Sequence, residues 1–325
     1  MTDDTTQAKS NASLTPDHHL SARDANVHYA CDNSLTPVLR VEPGDVVRFE
    51  CRDATDGQLG VDATNADVYD LDFPGHPLTG PVAVNGAEPG DVLEVELLSL
   101  QHKGFGVTYF YDEEKGLLPE LFDEPFAHVW NLEDDVGRFV DGIEVPLAPF
   151  PGNLGVAPAE RGEHSTVPPR NVGGNLDVKH LTAGSTLWLP IAVGDALFSI
   201  GDCHAAQGDG EVCVTGIEAP MSVTARFDVR SDRTLDAPQF ETAGPFTPTG
   251  RDERMYATTG VADDLMEATR RAVTAMIDHL HEKRGLSRAA AYALCSAVVD
   301  CKLSQVVNTP NWTVTAYLPE SIFPA

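Results

Sequence analysis

Lysine is scarce in this sequence, and it contains no long uninterrupted apolar run. Only six of the 22 basic residues are lysines, against 50 aspartates and glutamates, so the formal net charge is −28. A chain this acidic repels phosphates, which excludes nucleic-acid backbones as partners. The longest apolar stretch, 186–200, contains Pro190, Gly194 and Asp195 and is too short to cross a bilayer. We therefore expect neither a nucleic acid nor a membrane as a partner.

Cysteine is also infrequent, with six residues and no Cys-x-x-Cys spacing in 325 residues. In a chain of this size the pattern predicts reduced thiols and excludes a disulfide-rich secreted scaffold. The first four residues are polar or acidic apart from Met1, unlike the basic and apolar start of a secretory signal. We expect a cytoplasmic protein.

The acidic residues are distributed along the whole chain. This distribution is typical of a cytosolic protein from a salt-accumulating halophile, because high ionic strength screens the self-repulsion of such a charge. A basic protein partner is the alternative explanation. An acidic tail would favour that partner, whereas the observed scatter favours salt adaptation.

Short apolar runs punctuated by Pro, Gly and Asp make up most of the first 230 residues. Strand-length runs at this spacing predict an antiparallel sandwich or barrel-like β body. The clearest runs are 38–41, 46–51, 82–84, 92–100, 105–110 and 221–229.

Near the C-terminus the apolar period changes to three or four residues. This period predicts an amphipathic helix over 262–284, ended by Gly285, and a second helix over 288–302 with Ser287 as its N-cap. A final strand follows at 312–318. The predicted fold class is therefore α+β, mainly β, with a C-terminal helical hairpin packed on the β body.

The sequence suggests three regions. Residues 1–20 are predicted to be a flexible tail, 21–255 the β-rich catalytic body, and 256–325 the helical hairpin and last strand that complete the same fold. The turn EPGD occurs at both 42–45 and 88–91, each time before a strand. An internal duplication and a reused strand-starting turn both explain it.

Two stretches of the β body lack a clean period. Residues 112–145 are predicted to form surface loops with short strands. Residues 146–170, rich in Pro and Gly, are predicted to be a long irregular connection that serves as a pocket wall or as a subunit contact.

The densest polar group lies between two apolar runs, in the stretch GDCHAAQGDGE at 201–211. Its glycines favour a chain reversal, so we predict a hairpin whose second strand is 212–217. Alternation along a strand puts Asp202 and His204 on one face and Cys203 on the other, with Glu211 brought opposite. A solvated polar hairpin tip is the alternative. The additional Gln207, Asp209 and Glu211 favour a metal site or a general acid/base pair.

This stretch resembles the signature of the acetamidase/formamidase family, metal-associated hydrolases of small aliphatic amides. Other matching stretches are PLTGP at 77–81, GAEPGD at 86–91, GGNLD at 173–177 and NTPNW at 308–312. The resemblance covers nearly the whole chain after about residue 20. It implies hydrolysis of formamide or acetamide to a carboxylate and ammonia, a divalent metal ion with zinc as the first candidate, and a homo-oligomer.

On this resemblance the GGNLD motif joins the site, although by itself it favours an Asx turn. The metal ligands are then expected to be Asp202, His204 and Asp177. Glu211 or Asp209 is expected to move the proton, and Asn175 or Gln207 to orient the amide or stabilise its oxyanion. Whether His76 or His180 joins the site is left open.

Two rival functions are considered. In one, Cys203 is a nucleophile activated by His204, which the opposite orientation of neighbouring strand residues disfavours. In the other, the chain is a non-enzymatic β-rich metal-binding or structural module.

Overall fold

The structure is a computed structural model that describes residues 15–112, 115–242 and 254–324. It contains two α-helices, α1 (Leu265–Arg284) and α2 (Arg288–Val298). The strands are β1 (His18–Leu20), β2 (Val27–His28), β3 (Ala30–Cys31), β4 (Leu39–Val41), β5 (Val46–Cys51), β6 (Leu78–Val84), β7 (Val92–His102), β8 (Phe105–Phe110), β9 (Phe126–Glu133), β10 (Val136–Arg138), β11 (Glu144–Pro146), β12 (Phe150–Gly155), β13 (His164–Ser165), β14 (Gly173–Asn175), β15 (Thr186–Pro190), β16 (Phe198–His204), β17 (Met221–Arg230), β18 (Gln239–Glu241), β19 (Met255–Ala262), β20 (Asp300–Gln305) and β21 (Trp312–Pro319).

Two six-stranded sheets form the body. The first has the order β1-β5-β17-β7-β15-β18, and the second has the order β14-β12-β16-β6-β2 with β4 also paired to β6. Their apolar faces meet at Phe49 and Phe227 from the first sheet and Phe198 from the second, with ring centroids 5.0 to 6.1 Å apart. The predicted mainly β fold with an antiparallel sandwich is confirmed, because the alternating apolar residues of both sheets share one core.

Strands form in both stretches that lack a clean apolar period, as predicted for 112–145 but not for 146–170. Strands β9, β10 and β11 extend β8 into a four-stranded sheet, and Trp130 on β9 is fully buried. Strand β12, inside the predicted irregular connection, lies between β14 and β16. Pro151 and Gly152 obscured this strand in the sequence. Gly152 is needed there because a Cβ would lie 2.6 Å from Asp177 Oδ1 and 2.8 Å from the Asp202 carbonyl oxygen.

The helical hairpin has the predicted caps. Gly285 adopts the left-handed conformation (φ 73°) after α1, and the Ser287 hydroxyl accepts a hydrogen bond from the Ala290 amide. Helix α2 ends four residues earlier than predicted, and residues 300–305 form β20 instead. Asp300 explains the break, because its carboxylate is paired with Lys179 and accepts a hydrogen bond from the Asp209 amide at 3.1 Å.

The N-terminal prediction falls partly outside the described residues, since 1–14 are not among them. Strand β1, also within the predicted tail, pairs in parallel with β5 at the edge of the first sheet. The two EPGD turns have the same geometry, with Gly44 and Gly90 both at φ 98°. Neither α1 nor α2, the helices of the described ranges, is long and apolar enough to span a bilayer.

Candidate active site

The C-terminal end of β16 brings Asp202 and His204 together. His204 Nε2 lies 3.6 Å from Asp202 Oδ1, and both side chains are buried. The intervening Cys203 points into the core and is fully buried. Contact with the Cys51 thiol and burial raise the pKa of Cys203 well above its usual value. A thiol that is neither ionised nor exposed is unsuited to act as a nucleophile.

The chain does reverse after β16, but the predicted second strand at 212–217 does not form. Glu211 (φ 42°) and Val214 (φ 89°) adopt left-handed conformations that interrupt an extended strand. Pairing resumes at Ile217, whose amide and carbonyl bond to Ala206 and Ala205, both at 2.8 Å. The hairpin prediction was therefore wrong about the strand and right about the reversal.

The wider reversal places Glu218 opposite His204, a residue that the sequence analysis missed. Glu218 Oε2 lies 3.1 Å from His204 Nε2, and both side chains are buried. The sequence did contain a signal, since Glu218 is an acidic residue between the apolar Ile217 and Ala219. A carboxylate that is buried in such a run needs a charged partner.

Two further polar groups reach the site from β14 and the loop after it. The Asp177 amide donates to the Gly152 carbonyl at 3.2 Å, which ties this loop to β12. Asn175, at the end of β14, lines the same cavity as Glu211. The donor atoms of Asp177, His204 and Glu211 lie within 4.8 Å of one another, and so do those of Asp202, His204 and Glu218.

Gln207 sets the orientation of the His204 ring. Its side-chain amide donates to the Asp177 carbonyl at 3.0 Å, so its Oε1 faces His204 Nδ1 at 2.6 Å. An amide oxygen only accepts hydrogen bonds, so Nδ1 carries a proton. His204 Nε2 is therefore the nitrogen that faces Asp202 and Glu218.

His76 and His180 lie in different places. His76 lines the cavity, with its Nε2 3.7 Å from Asp202 Oδ2 and its ring edge-to-face against Phe73. Burial lowers the pKa of His180, and the charges that act on this ring are those of Asp209, Lys179, Asp300 and Lys302. The structure thus adds His76 to the group around Asp202.

Asp209 is separated from Glu211 although only Gly210 lies between them. Its carboxylate lies 3.8 Å from Lys179 Nζ, and its carbonyl accepts a hydrogen bond from the Cys301 amide at 2.8 Å. These contacts join the loop to β20, and Asp209 is not among the described residues that line the cavity or cluster around His204.

Burial dominates the electrostatics of the carboxylates. It raises the pKa of Glu218 to about 7 and that of Asp177 to about 6. Burial and the neighbouring Asp177 raise the pKa of Glu211 well above its usual range. These three groups therefore retain protons at a pH where exposed carboxyls are ionised.

Asp202 behaves in the opposite way. Burial opposes its ionisation, but His76 and His204 hold the pKa of Asp202 below its usual value. Burial likewise opposes a charge on His204, yet Glu218 and Asp202 raise the pKa of His204 well above 6.5. The site thus contains four carboxyl groups but only two imidazole rings. Protons or a bound cation must offset the resulting excess of negative charge.

Three of the four carboxylate residues have left-handed backbones. The φ angles are 49° at Asp177, 51° at Asp202 and 42° at Glu211. Non-glycine residues in this region carry strain of about 1 kcal/mol or more, which proteins tolerate mainly where a functional geometry requires it. The adjoining cavity has a volume of about 450 Å³, and the polar residues that line it include His76, Lys115, Asn175, Asp202, Glu211, Thr215 and Glu218.

Known proteins resemble this chain in sequence. The family model described as the Acetamidase/Formamidase family matches residues 13–165 and 159–325. A formamidase from Methylophilus methylotrophus is 28% identical over 93% of this chain and 90% of its own length. An acetamidase from Mycolicibacterium smegmatis is 30% identical over 62% of this chain and 65% of its own length.

Solved structures of other proteins share the fold of this chain. A gamma lactamase from Delftia acidovorans superposes with a TM-score of 0.87 at 28% identity, covering 95% of this chain and 94% of that one. An acetamidase from Bacillus halodurans superposes with a TM-score of 0.65 at 31% identity, covering 93% of this chain and 97% of that one.

Proposed function

The chain belongs to the acetamidase/formamidase family, and from that premise we propose how its site hydrolyses the C–N bond of a small aliphatic amide. The C–N bond breaks, a C–O bond forms to the oxygen of water, and the nitrogen leaves as ammonia after gaining a proton. The observation that supports this most directly is the convergence of four carboxyl groups on His204 beside a cavity. The rival interpretation as a non-enzymatic module loses its basis, because the curated relatives are a formamidase and an acetamidase.

A divalent metal ion fits the donor set of Asp202, His204 and Glu218. The set offers oxygen and imidazole nitrogen donors, which suit zinc. Glu218 Oε2 is buried, and its 3.1 Å contact with His204 Nε2 lacks hydrogen-bond geometry, as expected of two atoms that would bind one ion. These three residues are the proposed ligands, and zinc is the first candidate ion. When bound, such an ion polarises a carbonyl and lowers the pKa of bound water.

Asp177, the remaining predicted ligand, is better placed to act with Glu211. Its carboxyl interacts with that of Glu211, and burial keeps protons on this pair. Two coupled carboxyl groups that share a proton can accept one from the attacking water and return it to the departing nitrogen. The Glu211 side chain is 19% exposed and lines the cavity, so it is the member of the pair that reaches the substrate.

Asn175 is the proposed group that orients the amide. Its Oδ1 is buried without a hydrogen-bond partner among the described residues, and it lines the cavity. An amide N–H of the substrate would satisfy this oxygen. Gln207, the other candidate, already bonds to His204 and Asp177.

The test is ammonia release from formamide and acetamide by protein purified in concentrated potassium chloride. We expect turnover that is lost on chelation and restored by zinc. Turnover that survives exhaustive chelation would remove the metal from the mechanism. No turnover in any metal state would overturn the assignment to amide hydrolysis. Light scattering on the same sample tests the predicted homo-oligomer. The dependence of ammonia release on salt concentration tests the predicted adaptation to the salt-rich cytoplasm of a halophile.

A cyclic amide is a second candidate substrate. It is supported by the superposition with the gamma lactamase over 95% of this chain. Opening of a simple γ-lactam, followed by the appearance of the amino acid, would establish this activity.

A further inference from the structure

The cavity beside the carboxylates is larger than formamide or acetamide requires. Its volume is about 450 Å³. Since liquid water occupies about 30 Å³ per molecule, an amide of three or four heavy atoms needs on the order of 100 Å³. Pockets for ligands several times larger span about 300 to 1,000 Å³. Most of this cavity would remain filled with water around acetamide.

Apart from Lys115 and Thr215, the rest of the described cavity wall is apolar or aromatic. Phe73 packs edge-to-face on His76 with centroids 5.0 Å apart, so the apolar wall begins next to the carboxylate group. Tyr109 and Tyr111 pack edge-to-face with centroids 5.6 Å apart. The apolar and aromatic lining residues are Ala54, Phe73, Tyr109, Tyr111, Val167 and Val214.

Val214 lines this wall with a strained backbone conformation. Its φ is 89°, a conformation that a β-branched residue rarely adopts, and its side chain is 39% exposed. Val167, another lining residue, is 48% exposed. Neither valine gains much from burial in the free protein. An apolar ligand would cover both and account for their positions.

The charge of the cavity limits the class of ligand. Asp202, Glu211 and Glu218 line it, and the whole chain has a net charge of −28. Lys115 is the one cationic side chain other than histidine in the described lining, and its Nζ lies 3.7 Å from the centroid of the Tyr111 ring. The net negative charge of the chain therefore disfavours an anionic acyl group.

We propose that the site accepts primary amides whose acyl group is neutral, apolar and about the size of an aromatic ring. Phe73, Tyr111 and Val214 bind that acyl group, while the carboxylates act on the amide as described above. This inference rests on the proposed function. For phenylacetamide the products are phenylacetate and ammonium, with the C–N bond replaced by a C–O bond from water.

The first test compares kcat/KM for acetamide, isobutyramide, phenylacetamide and the anionic amide succinamate. We expect phenylacetamide to exceed acetamide at least tenfold, with isobutyramide between them and succinamate lowest. Turnover of acetamide with none of phenylacetamide would overturn the inference and leave the proposed function standing. The absence of turnover on all four amides would instead contradict the proposed function.

A variant test isolates Val214. Val214→Gly removes the apolar side chain and suits the left-handed backbone, so the fold should be retained. We expect the ratio of kcat/KM for phenylacetamide over acetamide to fall about tenfold, mainly through KM. The matched control is Val307→Gly, at a valine that is 78% exposed and outside the cavity lining. An unchanged ratio in V214G, and in V167A as the second variant, would overturn the assignment.

Discussion

Gln207 links two parts of the site through a single side-chain amide. It donates to the Asp177 carbonyl and accepts from His204 Nδ1 at 2.6 Å. Imidazole ligands of metal ions are commonly oriented by such a partner on the other ring nitrogen. Gln207 is therefore a positioning residue in the proposed site.

Replacing Gln207 with leucine should weaken zinc binding. Gln207→Leu has a similar volume but leaves His204 Nδ1 without an acceptor, so the ring can rotate or change tautomer. We expect zinc affinity to fall 10- to 100-fold, measured by competition with a chromophoric chelator. Gln101→Leu, at an exposed position on β7, is the control. Equal zinc affinity in Q207L and the wild type would refute the positioning role.

Matched amide substitutions distinguish the catalytic roles of Glu211 and Asp209. Glu211→Gln removes the proposed proton-transfer group, and we expect kcat to fall 10²- to 10⁴-fold with the fold retained. Asp209→Asn should change kcat less than about threefold, because Asp209 faces Lys179. Steady-state ammonia release decides between them. If kcat fell as much in D209N as in E211Q, Asp209 would also have to be assigned a role in proton transfer.

At the scale of elements, the four-stranded sheet β8–β11 contains a half-buried histidine among aromatic rings. His128 on β9 packs on Trp130 and Phe139 with ring centroids 5.0 and 4.2 Å away. Its Nε2 has no hydrogen-bond partner among the described residues. Burial lowers the pKa of His128 to about 4 from its usual 6.5. The folded sheet thus holds this imidazole neutral.

This burial predicts that acid destabilises the sheet. Between pH 6.5 and 4 the unfolded chain binds a proton that the folded one does not, so stability falls as the pH falls through this window. His128→Phe removes the group that binds this proton. The decrease in the free energy of unfolding between pH 7 and 4 should then be smaller by up to about 3 kcal/mol. Urea unfolding of both proteins at several pH values measures this difference in stability. Above pH 7 the two proteins should respond to pH in parallel, and parallel curves at all pH values would contradict the prediction.

Element boundaries were predictable where a cap has a local cause. Gly285 and Ser287 end and begin helices through their own backbone and hydroxyl, and both positions are as predicted. The end of α2 was not predictable in the same way. Asp300 leaves the helix direction to meet Lys179, a residue 121 positions earlier.

At the scale of the whole molecule, the negative charge is not confined to one segment, because the 50 acidic residues are spread over the entire chain. At about 0.1 M salt the Debye length is near 10 Å, so neighbouring surface carboxylates repel one another. At 1 M it is about 3 Å, and most of that repulsion is screened.

We therefore expect potassium chloride to stabilise the protein. The unfolding midpoint should rise by several degrees between 0.1 and 3 M KCl, measured by scanning calorimetry at constant pH. A series in sucrose, which strengthens burial without screening charge, is the control. If sucrose and KCl raised the midpoint equally, charge screening would not be the cause. A midpoint that falls with KCl would exclude the halophilic interpretation.

The sequence by itself determined the antiparallel β body, the caps of the two helices and the pairing of Asp202 with His204. Each depends on a short-range rule: period-two alternation, period-3.6 apolar spacing or a cap residue. These rules act over a few residues, so they can be read along the chain.

Only the tertiary structure decided which other groups join Asp202 and His204. Glu218 arrives because the left-handed turns at Glu211 and Val214 widen the reversal, and His76 arrives from a loop that precedes His204 by 128 residues. The same turns direct Asp209 away from Glu211. Strained backbone angles and contacts between distant segments are stabilised by the packed core around them, so no local propensity encodes them.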